Sequence, residues 1–268
     1  MKLKNVKDLE KRRAQAIKGN SKAKNTVLVC AGTGCLASGS AEVAEEFRKQ
    51  LKDHGIDMDV ELRVKTTGCH GFCERGPIVT FVPSGILYQK VKPKQVKEIV
   101  EKTIQKGEII KKLVYRDPAS KEYVEQYSEI PFYKHQTRIA LRNIGQLDPI
   151  SLDDYLARDG FTGLVKALAM KPEKIVDEVE KSGLRGRGGG GFPTAKKWRS
   201  SIKAGGAGGE KRYIICNGDE GDPGAFMDRS IMEGDPFDVL EGMIIGAYAV
   251  GSDEGYIYVR QEYPLAVK

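Results

Sequence analysis

The stretch from Ser182 to Trp198 limits what this chain can be more than any other. It holds six glycines, with Arg185 and Arg187 among them and Lys196 and Lys197 just beyond. Glycine lets the backbone reach positive φ and approach a ligand closely. Consecutive N–H groups in such a loop can form an anion nest. Pro193 and Thr194 read as the start of a helix, whose N-terminus favours a phosphate. The stretch predicts a cradle for a phosphorylated cofactor. A flexible linker is the plainer alternative, and the Gly205-Gly206-Ala207-Gly208-Gly209 run nearby reads as one. Linkers seldom carry Arg, Phe, Pro and Trp at set places. No Walker A pattern fits, and no strand runs directly into the loop as a dinucleotide fingerprint requires.

With 268 residues the chain has room for two domains, each with its own core. No apolar run approaches the ~20 residues that span a bilayer, and the charged N-terminus lacks the apolar segment of an export signal. A cytoplasmic protein is the expectation. The formal charge is +7, and the first 24 residues hold nine Lys or Arg against two acids, also +7. The rest of the chain balances at zero. The basic pI therefore belongs to a tail, which argues against nucleic acid as a partner. Residues 1–24 predict a short helix with Val6, Leu9 and Ile17 on one side, packed loosely or docked on a partner subunit.

Cysteines stand at 30, 35, 69, 73 and 216, the first four as a C-x4-C and a C-x3-C pair. Strands are predicted at 26–29, 60–64, 78–82 and 86–88, with helices at 41–52 and 96–104. The order β-α-β-β-β-α suggests a small thioredoxin-like layer fold over residues 25–110. Both Cys pairs then fall in loops after strands at one end of the sheet. Four thiolates satisfy a 2Fe-2S cluster. Zinc is the rival, although structural zinc favours closely spaced pairs. Two disulfides would need an oxidising compartment. His70 lies between two of the cysteines and reads as a loop residue.

Residues 111–150 read as a connector. Ile130-Pro131-Phe132-Tyr133 is expected to pack on the second domain, and 138–143 to be helical. Residues 151–268 form the second domain. Short helices are expected at 151–156 and 162–170, another from Pro172, strands at 212–216 and 256–260, and an apolar helix at 236–250. The first of these strands delivers Asn217-Gly218-Asp219-Glu220 at its C-terminal end, where open α/β sheets place ligands. Cys216 is expected as a buried small hydrophobe.

Three blocks carry a resemblance: Ser182–Trp198, Cys216–Arg229 and Tyr256–Tyr263. In this order they resemble the 51-kDa-type flavoprotein family of NADH dehydrogenases. Within it, the chain looks most like the beta subunit of multimeric iron-iron hydrogenases. The block Thr67–Pro77 resembles the 24-kDa-type thioredoxin-like 2Fe-2S ferredoxins. The resemblance implies an α/β chain: a thioredoxin-like 2Fe-2S domain followed by an incomplete α/β FMN-binding domain. It makes Cys30, Cys35, Cys69 and Cys73 cluster ligands. It assigns Gly186, Arg187, Gly188 and Lys197 to FMN, with Asn217, Asp219 and Glu220 in the flavin-site motif. Phe192 matches the aromatic residue that stacks on the nicotinamide cofactor, and Tyr258 and Glu262 match the third block. Gly190 and Ala195 stand where the family usually has Ala and Gly. Asp222 is a shorter acid than the common Glu.

The implied function is electron transfer. Hydride passes between NAD(P)H and FMN, and single electrons pass to iron-sulfur clusters, in a hydrogenase or NADH dehydrogenase complex. Other subunits, and ferredoxin, are the expected partners. The family's later flavin segment and its 4Fe-4S cysteines are not in this sequence, so a portion of a longer subunit is expected. A 2Fe-2S carrier with an inert flavin domain is the other reading.

Overall fold

The computed structural model describes residues 5–58, 62–205, 210–222 and 224–268. Val60 of the second predicted strand, Gly206–Gly209 of the glycine run and Pro223 lie outside the described residues. Contacts divide the chain into two units. One holds Lys7–Arg158 with Glu233–Asp235, and the other Asp159–Met232 with Pro236–Lys268. The sequence divides the chain at 24, 110 and 150, and contacts gather Lys7–Arg158 into one body. Among the described residues no helix is long and apolar enough to cross a membrane.

The first unit opens with α1 (Val6–Asn20), then β1 (Asn25–Cys30), α2 (Thr33–Leu36), α3 (Ser40–Asp53) and β2 (Leu62–Thr67). β3 (Val79–Val82), β4 (Leu87–Tyr88) and α4 (Pro93–Ile99) follow, and α4 runs into a π-helical turn, Val100–Ile104. β1 is central, parallel to β2 and antiparallel to β3, in a sheet of order β2-β1-β3-β4. Its last four residues are all buried, as a strand covered on both faces must be. Alternation divides them. Val27 and Val29 join Val43, Phe47 and Leu51 of α3 and Val96 and Ile99 of α4 in one core. Cys30 faces the other way.

The connector supplies that other side. β5 (Tyr115–Arg116), β6 (Tyr123–Val124), a 3-10 turn at Tyr127–Glu129 and α5 (Pro131–Lys134) follow α4. Gln89 N–H donates to the Leu113 carbonyl, Leu87 N–H to Glu125 and Tyr127 N–H to Gly85, so the β4 edge is closed by this segment. Tyr115, Ile130 and Tyr133 are buried with Cys30, Cys35, Ile78 and Leu87. The Ile130–Tyr133 segment, expected to pack on the second domain, packs within the first unit. It does so because Phe72 and Tyr115 offer it an aromatic surface. Residues 138–143 are not helical, and successive turns run over 140–146. Ile139 is exposed there, so no apolar face repays nucleation.

α6 (Leu152–Leu156) ends the unit and anchors α1. Arg12 donates twice to Asp153, at 2.6 and 2.9 Å. Asp154 is buried and accepts from Lys65 Nζ at 2.7 Å, from Asn20 Nδ2 and from Asp148 N–H. Leu9 and Ala16 are the buried positions of α1, while Ile17 is half exposed. The basic helix is thus ion-paired onto its own unit, and of the apolar side expected for it Leu9 is buried while Ile17 is not.

The second unit contains α7 (Thr162–Leu168), α8 (Pro172–Lys181), α9 (Thr194–Ala204), β7 (Tyr213–Gly218), α10 (Met227–Gly234), α11 (Pro236–Val250), β8 (Glu254–Val259) and α12 (Pro264–Val267). Its core joins Ile175 and Val176 of α8, Ala195 and Trp198 of α9 and Ala249 of α11. β7 and β8 pair in parallel, with Asn217 opposite Tyr258. Cys216 on β7 is half buried rather than enclosed.

Candidate functional site

Parallel pairing of β1 with β2 puts Cys30 opposite Thr67, so the loops after both strands leave the sheet at one end. One carries Cys35 on the short helix α2, and the other carries Cys69 and Cys73. None of the five cysteines forms a disulfide. The four in this unit meet in pairs. The Cys35 and Cys69 thiols both bear on Cys30, and Cys69 Sγ lies 3.7 Å from Cys73 Sγ. The result is a string of thiols, 35–30–69–73. Among the described residues no three His, Cys, Asp or Glu side chains close around a single-ion position.

Glycines bring the loops this close. A Cβ on Gly32 would meet the Cys69 Cβ at 2.6 Å, and one on Gly76 would meet the Cys35 Sγ at 2.7 Å. Gly71, at φ +81°, turns its N–H onto Cys69 Sγ at 3.3 Å. The bond to Cys35 pushes Cys30 up to about 12, and the same bond draws Cys35 down. The bond to Cys30, then burial, raises Cys69. Cys73 is the exposed member. An all-thiol donor set with an N–H aimed at sulfur fits an iron-sulfur cluster.

His70 is not in the string. Its ring is buried under Gly145, where an added Cβ would sit 2.7 Å from Cε1. Nε2 lies 3.4 Å from Thr67 Oγ1. Burial, then the Arg138 charge, lowers His70 to about 4, so the ring is neutral. Around it stands an aromatic wall that sequence reasoning did not anticipate. Phe72 stacks on Phe132 at 4.6 Å, and Tyr127 stacks on Tyr133 at 4.1 Å. Arg138 lies over Tyr133 at 5.3 Å and donates to the His70 carbonyl at 3.0 Å. The clustering of Tyr, Phe and Ile between 115 and 133 was the available signal.

In the second unit the glycine loop is pinched at its base. Gly186 N–H donates to the Phe192 carbonyl at 2.9 Å, Thr194 N–H donates to Leu184, and Arg185 Nε donates to the Gly191 carbonyl. Gly188, Gly189 and Gly190 face open space. Gly189, at φ +92°, needs glycine for its backbone, but no contact requires Gly188 or Gly190 to lack a Cβ, so the room is available for a ligand to approach the backbone. Gly186, Arg187, Gly188, Phe192 and Lys197 are all exposed, and Lys197 stands in the first turn of α9. Lys196 Nζ lies 5.9 Å above the Phe192 ring. A cavity of about 510 Å³ beside the loop is lined instead by Leu184, Arg185, Lys196, Arg199 and Lys203, among others.

The remaining expected residues gather at the C-terminal ends of β7 and β8. Asn217 and Tyr258 are register partners there, both exposed. Asn217 Oδ1 accepts from Asp219 N–H at 3.0 Å. Glu262 pairs with Arg260 at 2.8 Å, and Arg260 donates to the Glu220 carbonyl at 2.6 Å. Glu220 differs from its neighbours, because it is buried. Its carboxylate accepts from the N–H groups of Met227, Asp228 and Arg229, capping α10.

Residues 15–104 match the family model for thioredoxin-like [2Fe-2S] ferredoxins, and residues 179–268 match the one for the Nuo51 FMN-binding domain. The HndC subunit of the NADP-reducing hydrogenase of Solidesulfovibrio fructosivorans is 54% identical over 135 residues, covering 50% of this chain and 27% of that protein. The F subunit of the NADH-quinone oxidoreductase of Aquifex aeolicus is 54% identical over 114 residues, covering 42% of this chain and 26% of that protein. The chain thus spans about a quarter of the length of these relatives. Among solved structures, the thioredoxin-like [2Fe-2S] ferredoxin from Aquifex aeolicus is 33% identical, with a TM-score of 0.32, over 35% of this chain and 97% of that one. The chain joins a domain of the thioredoxin-like [2Fe-2S] ferredoxin family, at 15–104, to one of the Nuo51 FMN-binding family, at 179–268.

Proposed function

We propose that this chain works as part of an electron-transfer subunit that oxidises NAD(P)H or reduces NAD(P)+, with a 2Fe-2S cluster in its first unit and an FMN site in its second. The gathering of four thiols from two loops carries the reading, since two irons that each take two thiolates need their ligands in pairs. Cys30, Cys35, Cys69 and Cys73 hold the cluster. Gly71 N–H steadies the sulfur of Cys69.

In the second unit Gly186, Arg187, Gly188 and Lys197 receive the phosphate end of the flavin nucleotide. Their support is an open glycine backbone and the N-terminal turn of α9. Asn217, Asp219 and Tyr258 offer donors and acceptors at the strand ends to the rest of the cofactor. Glu220 shapes this edge by holding α10 in place. Phe192 offers an exposed ring for the nicotinamide. FMN, when bound, supplies the exchange between hydride and single electrons. The relatives belong to hydrogenases and NADH-quinone oxidoreductases, so we place this chain among other subunits of such a complex, with ferredoxin as a further partner. Free thiols fit the reducing cytoplasm.

The test is anaerobic purification with metal and sulfide analysis and a visible spectrum before and after dithionite. About two irons per chain and bleaching on reduction support the reading. Zinc in a colourless protein overturns it. A flavin titration then examines the second unit, where quenched FMN fluorescence is expected and Arg187→Ala should weaken it. A full cluster with no flavin binding would leave a 2Fe-2S carrier.

A further inference from the structure

Tyr133 is 6% exposed, and its ring is held on several sides. Tyr127 stacks on it, and Phe72 and Phe132 meet it edge-on at 5.7 and 5.0 Å. It belongs to the same buried cluster as Cys30 and Cys35. The hydroxyl is sealed from water and has no hydrogen-bond partner among the described residues. Buried polar groups in folded proteins are almost always paired. Tyr88, in the opposite core, obeys this rule, since its hydroxyl meets Thr103 Oγ1 at 2.7 Å and the Ile110 N–H at 2.9 Å. The Tyr133 hydroxyl is a donor without an acceptor among the described residues, in the buried cluster that also holds Cys30 and Cys35.

We propose that the Tyr133 hydroxyl donates a hydrogen bond to sulfur of the cluster held by Cys30, Cys35, Cys69 and Cys73, and thereby raises its reduction potential. This rests on the 2Fe-2S reading above. Reduction adds one negative charge to the centre, and an O–H dipole aimed at sulfur favours the reduced form more than the oxidised one. Tyr133 lies outside residues 15–104, which match the ferredoxin family model. The donor is therefore supplied by the connector. A segment that reads as a tether becomes part of the electron-transfer site.

The experiment uses the whole 268-residue chain, reconstituted anaerobically with ferrous iron and sulfide. Its potential is titrated against redox mediators and followed by EPR. Tyr133→Phe removes the hydroxyl and keeps the ring. Iron and sulfide content should not change, while the reduced-to-oxidised ratio at a given potential falls about tenfold, a shift of about 59 mV for one electron. Incorporating 3-fluorotyrosine at position 133 makes the hydroxyl a stronger donor and should shift the potential the other way. A ring that only packs would give neither shift. An unchanged potential in Tyr133→Phe with a full cluster overturns the proposal, and so does a downward shift with fluorotyrosine. If Tyr133→Phe cannot hold a cluster, the fluorotyrosine protein decides alone. Wild-type chain that takes up no iron or sulfide overturns the cluster reading and this proposal together, and that result appears before any variant is made.

Discussion

His70 stands between two cysteines in sequence, yet its ring is turned away beneath Gly145. Its burial has a consequence for pH. The free imidazole titrates near 6.5 and the buried one at about 4, so folding excludes a proton. The stability this contributes is complete above pH 6.5 and is lost as pH falls from 6.5 towards 4. The loss can reach about 3 kcal/mol. Urea unfolding of the iron-free chain, followed by circular dichroism, should show that decline, and His70→Gln should flatten it. A decline of equal size in His70→Gln would place its origin elsewhere. Glu220 shows the limit of reading one residue at a time. An acidic turn after a strand suggests ligand contact, but three N–H groups of α10 take its carboxylate. Which side chains stay free for a ligand depends on what the fold has already used.

At the level of elements, α1 and the connector depart most from a linear reading. A run of nine basic residues in the first 24 looks like a solvated tail. It becomes a docked helix because Asp153 and Asp154, far away in sequence, meet Arg12, Asn20 and Lys65. The two acids should not matter equally. Asp154 is buried against Lys65, so Asp154→Ala leaves an uncompensated charge and should cost about 3 kcal/mol. The Arg12–Asp153 pair is far more exposed, and Asp153→Ala should have a small effect. Urea unfolding of both variants checks the order. Equal losses would mean that the buried pair is not the anchor. The connector follows the same logic with apolar groups, where Tyr115, Ile130 and Tyr133 complete a core that Cys30 and Leu87 leave open.

Across the whole molecule the two units differ in how well their sheets are covered. β1 is buried between neighbours on both sides. The β7–β8 pair has Ile215 67% and Tyr258 62% exposed. Two strands alone are marginal in water. Backbone amides of β7 and β8 should therefore exchange with deuterium faster than those of β1, as read by mass spectrometry on peptides. Equal protection would mean that the pair is shielded in solution. The single tryptophan, Trp198, lies in the core of the second unit and offers a separate fluorescence probe of its unfolding.

The sequence by itself determined the local and periodic features. Alternating and helical apolar patterns predicted the first unit's sheet and its helices α3 and α4, and α9 starts at the Pro193-Thr194 signal. Cysteine spacing placed two pairs after strands, and parallel pairing brought both to one end of the sheet. These follow from backbone geometry and short-range preference. Other features were decided only by tertiary structure. They include the string of thiols, the burial of His70, the capping role of Glu220, the docking of α1 and the aromatic wall that ends in the unpaired Tyr133 hydroxyl. Each depends on contacts between residues far apart in the chain. Periodicity carries no record of which distant surface a side chain will meet.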